Sequence, residues 1–240
     1  MTALIRSEFL QMRALRTTYM LPLALLGLVA LICVASTEDI GKTATTPDQL
    51  REPLVVTAGI MSAVFLAVFG AIRVGGEYRY ETISQRLLAA SRPRVVWAKL
   101  IAYTGLALVL AALATAIGLA ITAPAVSAEG LTLDYDAAEL AQLFGSVLLG
   151  VALFAILGVA LAFVCRSQTA ALLIIIGLFP AEKVLGLVLA ENAAYMPYGL
   201  LQSLIDQGST PPGLAAVLLI GTVAVVTVAA LVLTSRRDVT

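Results

Sequence analysis

The chain has 240 residues, of which 60% are hydrophobic and 12% are charged, and its formal net charge at pH 7 is zero. Soluble globular domains carry about twice that share of charged residues, so the composition excludes a soluble domain and predicts a membrane protein. The zero net charge gives no electrostatic reason to expect a nucleic-acid partner. The chain has no histidine, and Cys33 and Cys165 fall in different apolar segments, so no metal site is predicted.

Residues 1–18, before the first apolar segment, are predicted to form an amphipathic helix on the cytoplasmic membrane surface. Apolar side chains recur at helical spacing and two arginines lie on another face: Ile5, Phe9, Met12, Leu15 and Tyr19, with Arg6 and Arg13. This pattern is typical of an interfacial helix. The alternative is a basic tail that only orients the first span.

Long apolar segments divide the rest of the chain into six predicted membrane-spanning helices. Crossing the hydrocarbon core takes about 20 helical residues, and a helix satisfies its own backbone hydrogen bonds in lipid. The predicted spans cover residues 19–36, 54–75, 97–123, 139–165, 168–190 and 213–235. We therefore predict an all-α membrane protein in which residues 1–240 form a single transmembrane domain.

The basic residues are concentrated in alternate segments between the spans. Twelve of the fifteen fall in the first, third, fifth and seventh segments: Arg6, Arg13, Arg16, Arg73, Arg79, Arg86, Arg92, Arg94, Lys99, Arg166, Arg236 and Arg237. Short loops rich in Lys and Arg stay on the cytoplasmic side of a membrane. The pattern predicts a bacterial inner-membrane protein with both termini in the cytoplasm and with residues 37–53, 124–138 and 191–212 outside.

Small residues recur at four-residue spacing in the fourth span, at Ser146, Gly150, Gly158 and Ala162. Small side chains let helix backbones approach each other closely in a membrane. The stripe predicts close helix packing, most of it within the chain.

Glu182 and Lys183 are predicted to lie in the outer half of the fifth span. Charges in hydrocarbon are costly, so both side chains need protein, water or opposite charge nearby. Two interpretations stay open. The pair forms an exit gate or substrate contact, or it is a structural pair where the fifth helix ends early at Pro180.

The connection between the fifth and sixth spans is half apolar and too short to cross the bilayer and return. Its apolar residues are interrupted by Pro197 and Gly199, which favours two short re-entrant helices in the outer leaflet. Tyr195 and Tyr198 would also fit an ordinary outer loop, because aromatic residues are common at membrane interfaces.

The longest predicted cytoplasmic connection runs from Gly75 to Lys99. Residues 77–88 are good helix formers, and the apolar side chains among them share one face: Ile83, Leu87 and Leu88. The helix is predicted to break at the sequence Ser91-Arg92-Pro93. A short charged helix parallel to the membrane suits docking on a cytoplasmic protein, but charge alone fits a solvated loop at least as well.

This segment resembles the coupling region of ABC-2 permeases, the transmembrane subunits of a class of ATP-binding-cassette exporter. Those proteins have six spans, an N-terminal interfacial elbow helix, a coupling helix between spans two and three, and short re-entrant helices between spans five and six. The residues that carry the resemblance are Glu77, Thr82, Leu87, Leu88, Ser91, Arg92 and Lys99. The family often has Gly before the Thr and Pro before the Ser-Arg pair, where this chain has Glu81 and Ala90.

The resemblance implies an ATPase-coupling segment that contains Glu77, Arg79, Glu81, Thr82, Arg86, Leu87, Leu88, Ser91, Arg92 and Lys99. Contact with the ATPase is expected at Glu77, Glu81 and Arg86. Arg92 and Lys99 are expected to hold the helix against lipid headgroups. The implied partners are a cytoplasmic ABC ATPase in two copies, which binds ATP and Mg, and a second permease, identical or related.

The chain itself is expected to have no catalytic residue. The sequence Gly41-Lys42-Thr43 ends like a phosphate-binding loop, but that motif needs a glycine where the chain has Ser36. No nucleophile–base arrangement indicates an intramembrane enzyme. The expected function is export of a hydrophobic or amphipathic compound, such as a drug or antibiotic, because the spans lack charged linings. The alternatives are a non-transporting membrane anchor or immunity subunit, and an exporter of a lipid-linked substrate.

Overall fold

The computed structural model describes residues 2–14, 17–37, 58–128, 136–189, 194–206 and 209–236, which are mainly helical and contain no strand. The helices are α1 (Thr2–Ala14), α2 (Thr17–Thr37), α3 (Ser62–Arg79), α4 (Thr82–Ala89), α5 (Arg92–Ala128), α6 (Ala137–Cys165), α7 (Gln168–Leu189), α8 (Pro197–Asp206) and α9 (Pro212–Arg236). The Gly41-Lys42-Thr43 motif lies outside the described residues, as do 38–53 and 129–135 of the predicted outer segments 37–53 and 124–138.

Six of these helices, namely α2, α3, α5, α6, α7 and α9, are long and apolar enough to cross a membrane. A π-helical turn at residues 58–61 extends α3 at its start. The all-α fold with six spans is therefore confirmed.

For α2, α6, α7 and α9 the helix ends lie within two residues of the predicted span boundaries. Because α5 has 37 residues, it is about 55 Å long and exceeds the roughly 30 Å hydrocarbon core.

The second and third spans differ most from prediction. Helix α3 continues to Arg79 and α5 begins at Arg92, so the connection between them is shorter than expected. Charged residues mark a membrane boundary, but Glu and Arg are good helix formers and need not end a helix. The prediction that Glu77 belongs to the short helix is wrong, since Glu77 lies in α3 and the short helix α4 begins at Thr82.

Helices α3 and α6 are the most buried spans, whereas few residues of α2, α7 and α9 are buried. The backbones of α3 and α6 approach closely, because a methyl group added at Gly158 would collide with the backbone of Ala67. A methyl group at Gly150 would lie 2.7 Å from Leu201 Cδ1 in α8. At both positions the small-residue stripe serves packing within the chain, as predicted.

The bundle has two ends with different chemistry. At one end, which we call the charged end, helices α1 and α4 lie beside the end of α3 and the start of α5, and the start of α5 contacts the end of α9. At the opposite end, α8 packs against α6, α7 and α9. We call this the α8 end. The prediction placed two short helices there, and the described residues contain one α-helix and a helical turn at 194–195.

Candidate functional site

The turn between α3 and α4 is closed by backbone hydrogen bonds. The N–H of Tyr80 donates to the carbonyl of Gly76 at 3.0 Å, and the N–H of Glu81 donates to that of Tyr78 at 3.2 Å. The hydroxyl of Thr82 donates to the carbonyl of Glu77 at 3.4 Å. These bonds end α3 and allow α4 to start in a new direction.

Glu81 adopts a left-handed backbone conformation, with φ of 58°. Side chains other than glycine are strained in this region. In the ABC-2 permeases that this segment resembles, glycine is frequent at this position, and glycine adopts such a φ without strain. This chain makes the same turn with a glutamate.

Four residues of this turn, Arg79, Tyr80, Glu81 and Thr82, are exposed, and we call them the coupling tip. Tyr80 is 72% exposed, and its ring centroid lies 5.8 Å from the guanidinium carbon of Arg79. An exposed tyrosine beside an arginine is a common anchor at protein interfaces.

Behind the coupling tip, three charged side chains from three helices meet inside the protein. The Nζ atom of Lys99 in α5 lies 2.6 Å from Glu77 Oε1 in α3, and 3.1 and 3.2 Å from the carboxylate oxygens of Glu8 in α1. The side chain of Lys99 is 0% exposed and that of Glu8 is 4% exposed. We call Glu8, Glu77 and Lys99 the ion triad.

A second cation accompanies the ion triad. Arg73 lies one helical turn before Glu77 in α3, and Arg73, Glu77 and Glu8 all lie near the buried Tyr103 of α5. Carboxylates and cations therefore occupy one region, where opposite charges lie close together. Pairing of this kind offsets part of the free-energy cost of removing the ions from water.

The start of α5 is tied to the end of α9. The Nη1 atom of Arg92 donates to the carbonyl oxygens of Ser235 at 3.1 Å and Thr234 at 3.4 Å. A cation at the C-terminal end of a helix satisfies free carbonyls and interacts well with the helix dipole. This contact links the coupling segment to the last span.

The end of α3 also lies against the start of α7. A methyl group added at Gly75 would lie 2.6 Å from the Cα atom of Gln168. The tight turn before α7 is made by Arg166, whose φ is 50°, and by Ser167, whose Oγ accepts a hydrogen bond from the N–H of Ala170 at 3.3 Å. The charged end is therefore closely packed.

At the α8 end, Glu182 binds the first turn of α8. Its carboxylate oxygens accept hydrogen bonds from the N–H groups of Tyr198 and Gly199, each at 3.0 Å. The first N–H groups of a helix lack partners within the helix, and a carboxylate there is favoured by the helix dipole. Burial and the Glu182 carboxylate raise the pKa of Tyr198.

An early end of the fifth helix at Pro180, which was part of the structural interpretation of Glu182 and Lys183, is not observed, because α7 continues through Pro180 to Leu189. Lys183 is exposed, and its Nζ lies 5.7 Å from the ring centroid of Phe179. The Phe179 ring packs edge-on against Tyr198 at 4.7 Å between centroids. Glu182 and Lys183 both line an open pocket of about 300 Å³, together with polar residues of α8 and the segment after it.

Some of the predicted site residues lie inside the protein and others are exposed. Glu77 and Lys99 lie inside the protein, and the prediction that Lys99 contacts headgroups is wrong because its ammonium group is fully buried. Arg92 contacts α9, whereas Ser91 is exposed beside it. The side chains of Arg86, Leu87 and Leu88 lie outside the described part of α4.

Sequence reasoning missed Glu8 and Tyr80. Glu8 is the only acidic residue among the first 37, and an acid in a basic cytoplasmic segment is a signal that it has a specific partner. Its neighbour one turn away, Met12, is also buried, so these two residues form the inward face of α1. Tyr80 could have been noticed as an aromatic residue between charged residues at a predicted turn.

Comparison with known proteins identifies a family that matches this chain. The family described as ABC-2 family transporter protein matches residues 4–181. A search of curated proteins finds no match. The matched range includes the ion triad and the coupling tip, and it ends one residue before Glu182. Six apolar helices and this match show that the chain belongs to the ABC-2 transporter family, as a multi-pass membrane permease of an ABC transporter that works with an ATPase partner.

Proposed function

We propose that this chain is the permease subunit of an ATP-driven exporter that moves a hydrophobic or amphipathic compound, such as a drug or antibiotic, out of a bacterial cell. The observation that carries the proposal is the coupling tip, an exposed turn that is continuous with two membrane spans. Movement imposed on this turn by an ATPase would reach α3 and α5 directly.

The charged end is the cytoplasmic end in this proposal, and the membrane is the bacterial inner membrane. The described basic residues of this end include Arg79, Arg92, Arg94, Lys99 and Arg236. Such a concentration of positive charge favours retention in the cytoplasm. The N-terminal helix α1 would then lie at the cytoplasmic membrane surface.

Labelling of single cysteines in intact cells tests this orientation. In a Cys33→Ala, Cys165→Ala background, we expect an impermeant thiol reagent to label Ser127→Cys and not Ser91→Cys. Both positions are exposed in the structure. Labelling at position 91 with protection at position 127 would reverse the proposed topology.

The ATPase would dock on the coupling tip in two copies, one for this chain and one for a second permease that is identical or related. ATP and Mg would bind to the ATPase, and this chain would contribute no catalytic residue. Tyr80 and Arg79 would supply the buried anchor of the contact and Glu81 a charged contact, because aromatic residues and arginine dominate binding energy at interfaces.

The proposed substrate class follows from the spans and the α8 end. The spans are lined mainly by apolar side chains, which do not suit an inorganic ion or a sugar. The pocket beside Glu182 combines Lys183, Gln202 and Ser203 with apolar atoms. A pocket with both kinds of surface suits an amphipathic compound on its way out, which is the role of an exit gate.

Transport in inside-out vesicles tests the function. We expect ATP-dependent accumulation of ethidium or doxorubicin in vesicles that contain the permease with its ATPase. Glu81→Arg should reduce it by at least about tenfold, because losing one partner of a buried charged contact costs about 2–5 kcal/mol. Asp136→Arg, an exposed change at the opposite end, is the matched control.

Two results would contradict the proposal in different ways. Normal transport and normal ATPase recovery with Glu81→Arg would show that the coupling tip is not the docking site. ATPase recovery and ATP hydrolysis without accumulation of either compound would favour a non-transporting anchor or immunity subunit, or a lipid-linked substrate. A lipid-linked substrate would be tested by ATP-dependent movement of a labelled lipid between leaflets.

A further inference from the structure

The inward face of α1 contains a buried charge beside its apolar contact. Glu8 and Met12 are buried, whereas Phe9 and Leu10 are 42% and 57% exposed. In the predicted interfacial helix, Phe9 belonged to the apolar face. The structure instead buries the one glutamate of this helix against the bundle, so the contact of α1 with the bundle depends on a specific ionic partner.

That partner is not on the neighbouring helix in sequence. Helix α2 follows α1 directly, but α1 packs mainly against α5. Through Lys99, Glu8 is joined to α5 and to Glu77 of α3 at the same time. These are the two spans between which α4 and the coupling tip are held. Only the short turns at Tyr80–Glu81 and Ala90–Ser91 separate α4 from them.

Separating α1 from these two spans would take the Glu8 carboxylate away from the fully buried ammonium group of Lys99. Breaking a buried ion pair is strongly unfavourable, because the remaining charge has lost both water and its partner. A movement of the coupling tip should therefore carry α1 with it rather than slide past it. Since α1 is connected to α2 by a two-residue segment, such a movement would also reach the first span.

We propose that α1 and the coupling segment move as one unit during the ATPase cycle, and that Glu8 is the positioning residue that joins them through Lys99. Glu8 does not contact the ATPase in this proposal. It fixes the place of α1 relative to α3 and α5, so that a displacement of α4 is transmitted to the first span as well as to the second and third. The inference rests on the proposed coupling to an ATPase.

Distance measurement tests the joint movement without altering the ion triad. Spin labels would be attached to cysteines at Gln11 in α1 and Gln85 in α4, both exposed, in the cysteine-free background and in complex with the ATPase. We expect the same α1–α4 distance with and without ATP. A second label pair, Gln85 and the exposed Gln202 in α8, should change its distance. A nucleotide-dependent change between Gln11 and Gln85 would overturn the proposal.

Glu8→Gln tests the residue itself. The amide keeps the shape of the side chain but removes the charge that holds Lys99. We expect the complex to assemble, the α1–α4 distance to become nucleotide-dependent, and the stimulation of ATP hydrolysis by the permease to fall by at least about fivefold, within the usual range of coupling between sites. Arg6→Gln removes one exposed charge from the same helix and should leave all three measurements unchanged.

The outcomes separate this inference from the proposed function. If the complex with Glu8→Gln hydrolyses ATP at the rate of the unaltered complex and keeps the same α1–α4 distance, the inference is wrong. The proposed export function is not affected by that result. If the unaltered complex transports no compound, the proposed export is wrong, and the distance between α1 and α4 still decides the inference. If Glu8→Gln fails to assemble, the distances in the unaltered complex decide it.

Discussion

At the charged end, the carboxylates of Glu8 and Glu77 face the ammonium group of Lys99, whereas at the α8 end the carboxylate of Glu182 faces two backbone N–H groups. Both ends bury a glutamate beside an apolar bundle. The charged end uses side chains from three helices. The α8 end uses the backbone of one short helix.

This difference predicts how each end responds to a substitution. An ion triad depends on all of its members, because removing one leaves the others charged and buried. Backbone N–H groups are present whatever the side chains are, and a carboxylate that binds them can be replaced by another hydrogen-bond acceptor at lower cost. The charged end should therefore be rigid and sensitive, and the α8 end more tolerant.

The largest effect is expected for Lys99→Met, which leaves the buried carboxylate of Glu8 and the partly exposed carboxylate of Glu77 without their shared cation. We expect a loss of about 3–5 kcal/mol in stability, the usual cost of breaking a buried ion pair. The measurement is the thermal unfolding of purified protein. Arg94→Met, an exposed change on the same helix, should fall within about 0.5 kcal/mol of the unaltered chain. Equal losses of stability for the two variants would show that the ion triad contributes no more to stability than an exposed charge.

Two glycines of α6 extend the comparison to packing. A methyl group at Gly158, in the half of α6 nearer the charged end, would meet the backbone of Ala67, whereas one at Gly150 would meet the flexible ends of Leu201 and Ile205. We expect Gly158→Ala to cost about 1–3 kcal/mol or more, because a backbone cannot move aside cheaply. Gly150→Ala should cost clearly less. Thermal unfolding of both variants measures this, and the opposite order would contradict it.

Glu182→Gln tests the α8 end. The amide keeps one oxygen acceptor for Tyr198 or Gly199 but turns an NH₂ group toward the other donor. We expect a loss of about 1–3 kcal/mol, as for hydrogen bonds to charged groups. Membrane-resident protein should fall while export per molecule stays constant. Lys183→Gln is the companion variant, since its exposed side chain does not hold α8.

Other results for these two variants would change the interpretation. Unchanged protein with altered export in Glu182→Gln would assign the residue to an exit gate. Unchanged protein and unchanged export would show that its contact with α8 contributes little. Altered export in Lys183→Gln alone would assign the gate to the cation.

Much of the fold could be predicted from the sequence because lipid imposes simple rules. Length and hydrophobicity placed six spans, and four of them were placed within two residues at each end. The same rules misplaced the ends of the second and third spans, where Glu77 and Arg92 lie in helix outside the predicted apolar segments. Hydrophobicity locates the membrane and not the end of a helix.

The candidate site was predicted only in part, because its geometry depends on partners distant in sequence. The resemblance selected Glu77 and Lys99 but assigned them to the surface. Glu8 lies 91 residues from Lys99, and no local pattern connects them. The N–H groups that bind Glu182 leave no signal in the sequence at all, because every residue except proline has one.

The smallest effect concerns the turn that connects the two spans at the charged end. Glu81 has a φ of 58°, so Glu81→Gly should relieve backbone strain, at the cost of greater freedom in the unfolded chain. The net gain should be a few tenths to about 1 kcal/mol. Thermal unfolding of the permease without its ATPase measures this apart from docking. Gln85→Gly, inside α4, should instead destabilise by about 1 kcal/mol, because glycine disfavours a helix interior. If both glycine substitutions destabilise the protein equally, the backbone at Glu81 is not strained.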